Sequence, residues 1–178
     1  YVPSEFQLKM WALWETFWHT WVPEVTRGEP FDVVHNGDAL DGVHHHSTTQ
    51  ISHNLEDQQR IAEAVLAPVV AQCQTSGGTY YHIRGTEAHV GQSGEYEERL
   101  ARTLGAKPNA LGQYARWDLW KRVGGENGPL VHLLHHVGTT GSAAHEASAV
   151  NAELTAEYVE AARWSRQAPD FVVRSHRH

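Results

Sequence analysis

Four short polar clusters, each placed directly after an apolar run, hold most of the chain's capacity for chemistry. Asp38 and Asp41 follow Val33-Val34-His35, and Arg84, Glu87 and His89 follow Tyr80-Tyr81-His82-Ile83. His135 and His136 close the run from Leu130, and His176 and His178 follow Phe171-Val172-Val173. Imidazole is the commonest protein ligand for transition metals, and a carboxylate can bridge two ions, so these residue types suit hard or borderline divalent cations. The β-branched and aromatic runs read as strands, and the Gly-Asp after the first reads as a tight turn. Four donor sets at strand ends can be gathered at one sheet edge, where α/β proteins place their chemistry.

Those strands need a core to position them. At 178 residues and 40% apolar content the chain suffices for one domain, residues 1–178, with a substantial interior. Its net charge of -7 argues against broad binding to a nucleic-acid backbone and leaves room for a local phosphate site. Cys73 is the only cysteine, which excludes an internal disulfide scaffold and makes a cytoplasmic location the expectation. No apolar run approaches the roughly 18 residues a membrane span needs, so no membrane partner is expected. Of the fourteen histidines, the one run, His44 to His46, falls in a polar loop and reads as solvated.

The elements follow from periodicity. Ser4 to Val22 carries Met10, Trp14, Phe17 and Trp21 at helical spacing, with Trp11, Leu13 and Trp18 widening a stripe expected to face the core, and Pro23 is expected to end it. Phe31 to His35 reads as a strand, and Gly42 to Ser52 as a loop. A helix is expected from Asn54, with Ile61, Val65, Val69 and Cys73 on one face, a kink at Pro68, and a break at Gly77-Gly78. Thr79 to Ile83 is the next strand. Ser93 to Leu104 reads as a short helix capped by Ser93 and closed by Gly105. Ala115 to Val123 and Leu130 to His135 flank a glycine-rich hairpin loop. Ala144 to Gln167 reads as a long helix with Val150, Leu154, Tyr158 and Ala161 on one face, stopped by Pro169 ahead of the last strand. His35 and His82, inside strands, read as packed or surface-facing rather than catalytic.

Motif order adds a resemblance. Gly37-Asp38-Ala39-Leu40-Asp41, Leu133-Leu134-His135-His136 and Ser175-His176-Arg177-His178, in that order across nearly the whole chain, resemble the calcineurin-like metallophosphoesterase family. The resemblance implies an α/β fold, a β-sandwich of mixed sheets flanked by helices in αββα layers. It also implies a binuclear centre of divalent ions (Mn, Fe or Zn) that activates a water as hydroxide against phosphomonoesters or phosphodiesters. On that reading Asp38 bridges the ions, His135 or its neighbour His136 helps His176 hold the second, and His178 serves the first. Glu87 replaces a neutral ligand, His89 protonates the leaving oxygen, Arg84 or Arg177 balances phosphate charge, and Asp41 supports the ligands from behind.

Two departures from the family pattern stand out. No Asp-x-His pair precedes Asp38, so the resemblance places that strand ahead of Tyr1 and makes the chain a fragment of a longer protein. Gly85-Thr86-Glu87-Ala88-His89 stands where the family has Gly-Asn-His, and a hydroxyl is a poorer neutral ligand than an amide oxygen. The alternatives are a non-catalytic metal-binding or interaction domain and a zinc hydrolase of non-phosphate substrates. For the latter the chain offers no HExxH helix.

Overall fold

The computed structural model describes residues 2–43, 50–91, 94–136 and 146–176. His44 to His46, Ser93, Arg177 and His178 lie outside the described residues.

Strands β1 (Val33–Asn36), β2 (Tyr80–Ile83) and β3 (Ala115–Arg116) form a parallel sheet in the order β1-β2-β3. A second sheet has the order β4-β5-β6, with β4 (Asp118–Arg122) antiparallel to β5 (Leu130–Leu134) and β5 parallel to β6 (Phe171–Val173). The fold is therefore mixed α/β with two small sheets. All four residues of β2 are buried, as expected for a parallel strand covered on both faces. Side-chain alternation sends Tyr80 towards a helical layer, where it packs with Ala62, Val70, Leu100, Ala101 and Leu104. Tyr81 and Ile83 face the other way and share a cluster with Val34, Leu119 and Leu133 from β1, β4 and β5.

The helical layer is α3 (Leu55–Thr75) and α5 (Glu95–Thr103). Asn54 caps α3 by accepting the Glu56 N–H at 2.9 Å, and Glu56 and Asp57 occupy the positive first turn. The helix runs as one element through Pro68. Its buried face is Ala62, Val69, Val70 and Cys73; Ile61 is exposed. α5 begins at Glu95 behind Gly94, which offers no side-chain cap. On the far side, α6 (Glu146–Arg163) meets the second sheet through Glu157, 3.0 Å from His132, and Glu153, 3.5 Å from Arg174. Ala161 of the expected α6 face is buried, whereas Tyr158 is exposed.

Three expectations are corrected. Pro23 does not end the first helix: α1 (Glu5–Thr16) passes through a π-helical turn at Phe17–Trp21 into α2 (Val22–Thr26), which ends where Arg27 turns left-handed. A proline lacks the N–H and its ring crowds the carbonyl four residues back; Pro23 sits in the first turn of α2, and the wide turn just ahead of it absorbs both defects. Nor is the tryptophan stripe core. No residue of α1 is buried, and Met10, Trp11, Leu13, Phe17 and Trp21 are all exposed, while Trp14 and Trp18 are half-buried beside Val65 and Val69 of α3. Finally, the run expected as one strand from Ala115 to Val123 is two. β3 pairs with β2, the chain crosses between sheets at Trp117, and β4 pairs with β5. Alternation alone reports that a strand exists, not which neighbour it pairs with.

Among the described residues no helix is long and apolar enough to cross a membrane.

Leu100 is fully buried where α5 meets Tyr80 and α3. Leu100→Ala is expected to lower unfolding free energy by about 2–5 kcal/mol in a urea titration, with an unchanged slope.

Candidate metal centre

Asp38 is delivered by the end of β1, in a turn where Gly37 has φ +83° and Asp38 itself φ +56°. His176, after β6, also sits in the left-handed region at φ +73°. Non-glycine residues seldom adopt this conformation, which costs of order 1–3 kcal/mol each, and it recurs where function over-determines the backbone. The two strained residues converge with His135, which follows β5. One donor atom from each of Asp38, His135 and His176 lies within 4.8 Å of the others.

Close approach makes this possible. A Cβ on Gly37 would collide with the His135 ring, and one on Gly85 would collide with the Asp38 carboxylate and backbone. Thr86 follows Gly85 and donates its backbone N–H to Asp38 Oδ1 at 2.8 Å, with its hydroxyl on the same oxygen at 3.3 Å. Asn36 carries the other side, accepting from His135 Nδ1 at 2.6 Å through its carbonyl and donating through its amide to Ser175 Oγ at 2.7 Å.

That hydrogen bond decides the His135 tautomer. A carbonyl only accepts, so Nδ1 holds the proton and Nε2 of the neutral ring presents a lone pair. Nε2 faces Asp38 Oδ2 at 2.9 Å, and neither atom completes a well-directed hydrogen bond. Two acceptors at that distance repel unless a positive charge lies between them: a proton on His135, or a cation ligated by both. The titration shifts agree with the proton case. Burial opposes the Asp38 charge, but the His135 imidazole and the Thr86 amide outweigh it and hold the pKa down to about 2. Burial disfavours charged His135, but Asp38 and the Asn36 carbonyl outweigh it and raise its pKa. A divalent ion fits the same donor set, which joins two imidazoles and a carboxylate, with an orienting hydrogen bond behind His135.

The other expected site residues separate. His89 joins the group, with Nε2 3.8 Å from Asp38 Oδ2 and Nδ1 2.7 Å from the Asp41 carbonyl. Asp41 is thus adjacent through its backbone. Glu87 is exposed on the short helix α4 (Glu87–Val90) and lies outside the donor group. Thr86 orients Asp38 rather than standing free as a ligand. Arg84 is half-buried with its guanidinium 5.9 Å from the Trp117 ring, and His136 is exposed, 5.1 Å from His176 ring to ring. A largely apolar cavity of about 370 Å³ opens beside Asp38, between Leu40, Ile51, Ile61 and Val65. Sequence reasoning passed over Asn36 and Glu97, and it weighed Thr86 only as a poor neutral ligand, not as a donor to Asp38. Glu97 shares the first turn of α5 with Glu95 and Glu98, where acidic residues are ordinary, so its type and position give no signal of its burial.

His35 and His82 are indeed packed, with ring centroids 4.7 Å apart, and His82 is fully buried beside Glu97. No family model, curated protein or solved structure matches the chain.

Two outcomes follow from this geometry. Gly85→Ala is expected to displace Asp38 and weaken Zn²⁺ or Mn²⁺ binding about tenfold or more by calorimetric titration. Burial first, and then His82, push the His35 pKa from 6.5 down to about 4, so the unfolded chain takes up a proton on this ring before the folded one does. Stability linked to His35 is present above 6.5 and is lost as pH falls towards about 4. Between pH 7 and pH 5 this contributes a fall of about 2 kcal/mol in urea unfolding, and His35→Leu should remove that much of the pH dependence.

Proposed function

We propose that the chain is a metallophosphoesterase-like domain that hydrolyses phosphomonoesters or phosphodiesters with divalent metal held at Asp38, His135 and His176. One observation carries this reading: a carboxylate oxygen and an imidazole nitrogen face each other at 2.9 Å beside a third donor, on a backbone strained at two of the three residues. The layering supports it, since helices α3 and α5, the two sheets and α6 succeed one another in the αββα order of the resemblance. β1 is also an edge strand among the described residues, so a further ligand-bearing strand has a place to pair beside Asp38. His178, outside the described residues, is a further ligand in this proposal, as the resemblance implies.

Bound metal supplies Lewis acidity, neutralising phosphate charge and acidifying water. The chain's own residues do the rest. Asp38 keeps its negative charge throughout the neutral range. His89 fixes its Nδ1 proton on the Asp41 carbonyl and leaves Nε2 near Asp38 to exchange a proton with the leaving oxygen. Arg84, at the same strand end as Thr86, offsets charge on the phosphate.

A second reading has one specific observation in its favour. Thr86 is occupied with Asp38 and Glu87 is exposed outside the donor group, so the position of the family's neutral ligand has no replacement among the described residues, as suits a domain that binds metal without turnover.

One assay separates the two. Mn²⁺-dependent release of nitrophenol from bis(p-nitrophenyl) phosphate is expected, abolished by chelator and lowered about a thousandfold or more by Asp38→Asn. Metal binding with no turnover on monoester or diester favours the second reading, and full activity in Asp38→Asn overturns both as assigned to this site.

A further inference from the structure

Glu97 is the one carboxylate among the described residues whose side chain is wholly removed from solvent. Carboxylates are almost never fully buried, because desolvating the charge costs several kcal/mol unless hydrogen bonds and a counter-charge replace water. The partners of Glu97 are specific. Oε1 accepts the Ala39 N–H at 2.8 Å, and Oε2 accepts the Gly85 N–H at 2.6 Å. Ala39 directly follows Asp38, and Gly85 directly precedes Thr86, which holds Asp38 Oδ1. Behind Glu97, His82 Nε2 lies 3.6 Å from Oε1, and the Tyr80 hydroxyl meets His82 Nδ1 at 2.7 Å.

We propose that Glu97 is a positioning residue for the metal centre: one carboxylate clamps the β1 and β2 turns at a fixed separation, and the Tyr80–His82 pair orients it. The proposal rests on reading Asp38 as a metal ligand. The turns also meet across this gap through Thr86 on Asp38 and through His89 on the Asp41 carbonyl, and both of these contacts involve the donor-bearing residues themselves, with Asp38 strained at φ +56°. A rigid two-pronged acceptor on α5 removes from the ligand the task of holding its own turn. His35, His82 and Glu97 also bring three potential donor atoms within 4.8 Å of one another. However, both Glu97 oxygens already accept short backbone hydrogen bonds, which favours a brace over a second cation site.

Amide hydrogen exchange by NMR and Zn²⁺ titration on the same protein test this, using Glu97→Gln, Tyr80→Phe and, as a control for general loosening of α5, Leu100→Ala. An amide side chain presents one acceptor and one donor to two N–H groups, so Glu97→Gln should speed exchange at Ala39 and Gly85 about tenfold or more relative to Val34 and Tyr81, and weaken Zn²⁺ about tenfold. Leu100→Ala should lower thermal stability without singling out those two amides. Tyr80→Phe, which deletes one hydroxyl, should give a smaller change at the same amides, and it decides the matter if Glu97→Gln does not fold. Exchange at Ala39 and Gly85 that is unchanged, or that rises no more than in Leu100→Ala, overturns the proposal. So does Zn²⁺ that remains bound in Asp38→Asn and is lost in Glu97→Gln, since the cluster would then be a cation site. Absence of metal binding in the unaltered protein defeats the metal reading instead, and the exchange data still judge the brace.

Discussion

The tight contact of three chain segments around the Asp38 carboxylate governs the arrangement of this molecule. The turns after β1 and β2 and the end of β5 approach so closely that neither residue 37 nor residue 85 has room for a side chain. Parallel pairing of β1 with β2 brings two of these segments together, because parallel strands end at the same edge. The third arrives from the other sheet, and the Asn36 carbonyl meets its imidazole. Two glycines and one asparagine thus let two sheets share a single charged point.

Charge at that point is handled by short hydrogen bonds rather than by solvent. Asp38 has the Thr86 amide on one oxygen and His135 against the other, while Glu97, one layer deeper, has two backbone amides and a histidine. Both carboxyl groups are held below their ordinary range although burial works against their ionisation. The interior therefore keeps two negative charges close together, and the imidazoles of His82 and His135 are the groups that face them. Such an arrangement is costly for stability alone, since apolar replacements usually pack as well. Its placement directly under strained, donor-bearing turns is what the proposed bracing role would require.

The outer faces follow different rules. α1 places a row of large aromatic residues against solvent, with only Trp14 and Trp18 leaning on α3. The same spacing that would bury a stripe in a bundle leaves it exposed here, because the parallel sheet is already covered by α3 and α5 on that face. Hydrophobic periodicity states which side of a helix is apolar; what covers it depends on the rest of the fold.

Much of this was legible in the residues. The strands at Val33, Tyr80, Leu130 and Phe171, the helix start near Asn54 and the hairpin between β4 and β5 come from local pattern and turn chemistry, which act within a few residues. The donor types of Asp38, His89, His135 and His176 were legible too, each following an apolar run, but the expected single sheet edge was not what gathers them: Asp38 and His89 follow strands of one sheet, and His135 and His176 follow strands of the other. What local pattern could not determine is anything set by contacts distant in the chain: the crossing between sheets at Trp117, the passage of the first helix through Pro23, the outward position of Glu87, and the role of Thr86 as a hydrogen-bond donor to Asp38. Glu97 is the clearest instance. By type and spacing it is a surface residue of an amphipathic helix, and only the packing of α5 onto two turns 58 and 12 residues away turns it into a buried clamp. The sequence by itself determined which residues carry the donor atoms and where each strand delivers them; tertiary structure alone decided which donors meet, because separations of a few ångströms depend on backbone approach, and approach is a property of the whole fold.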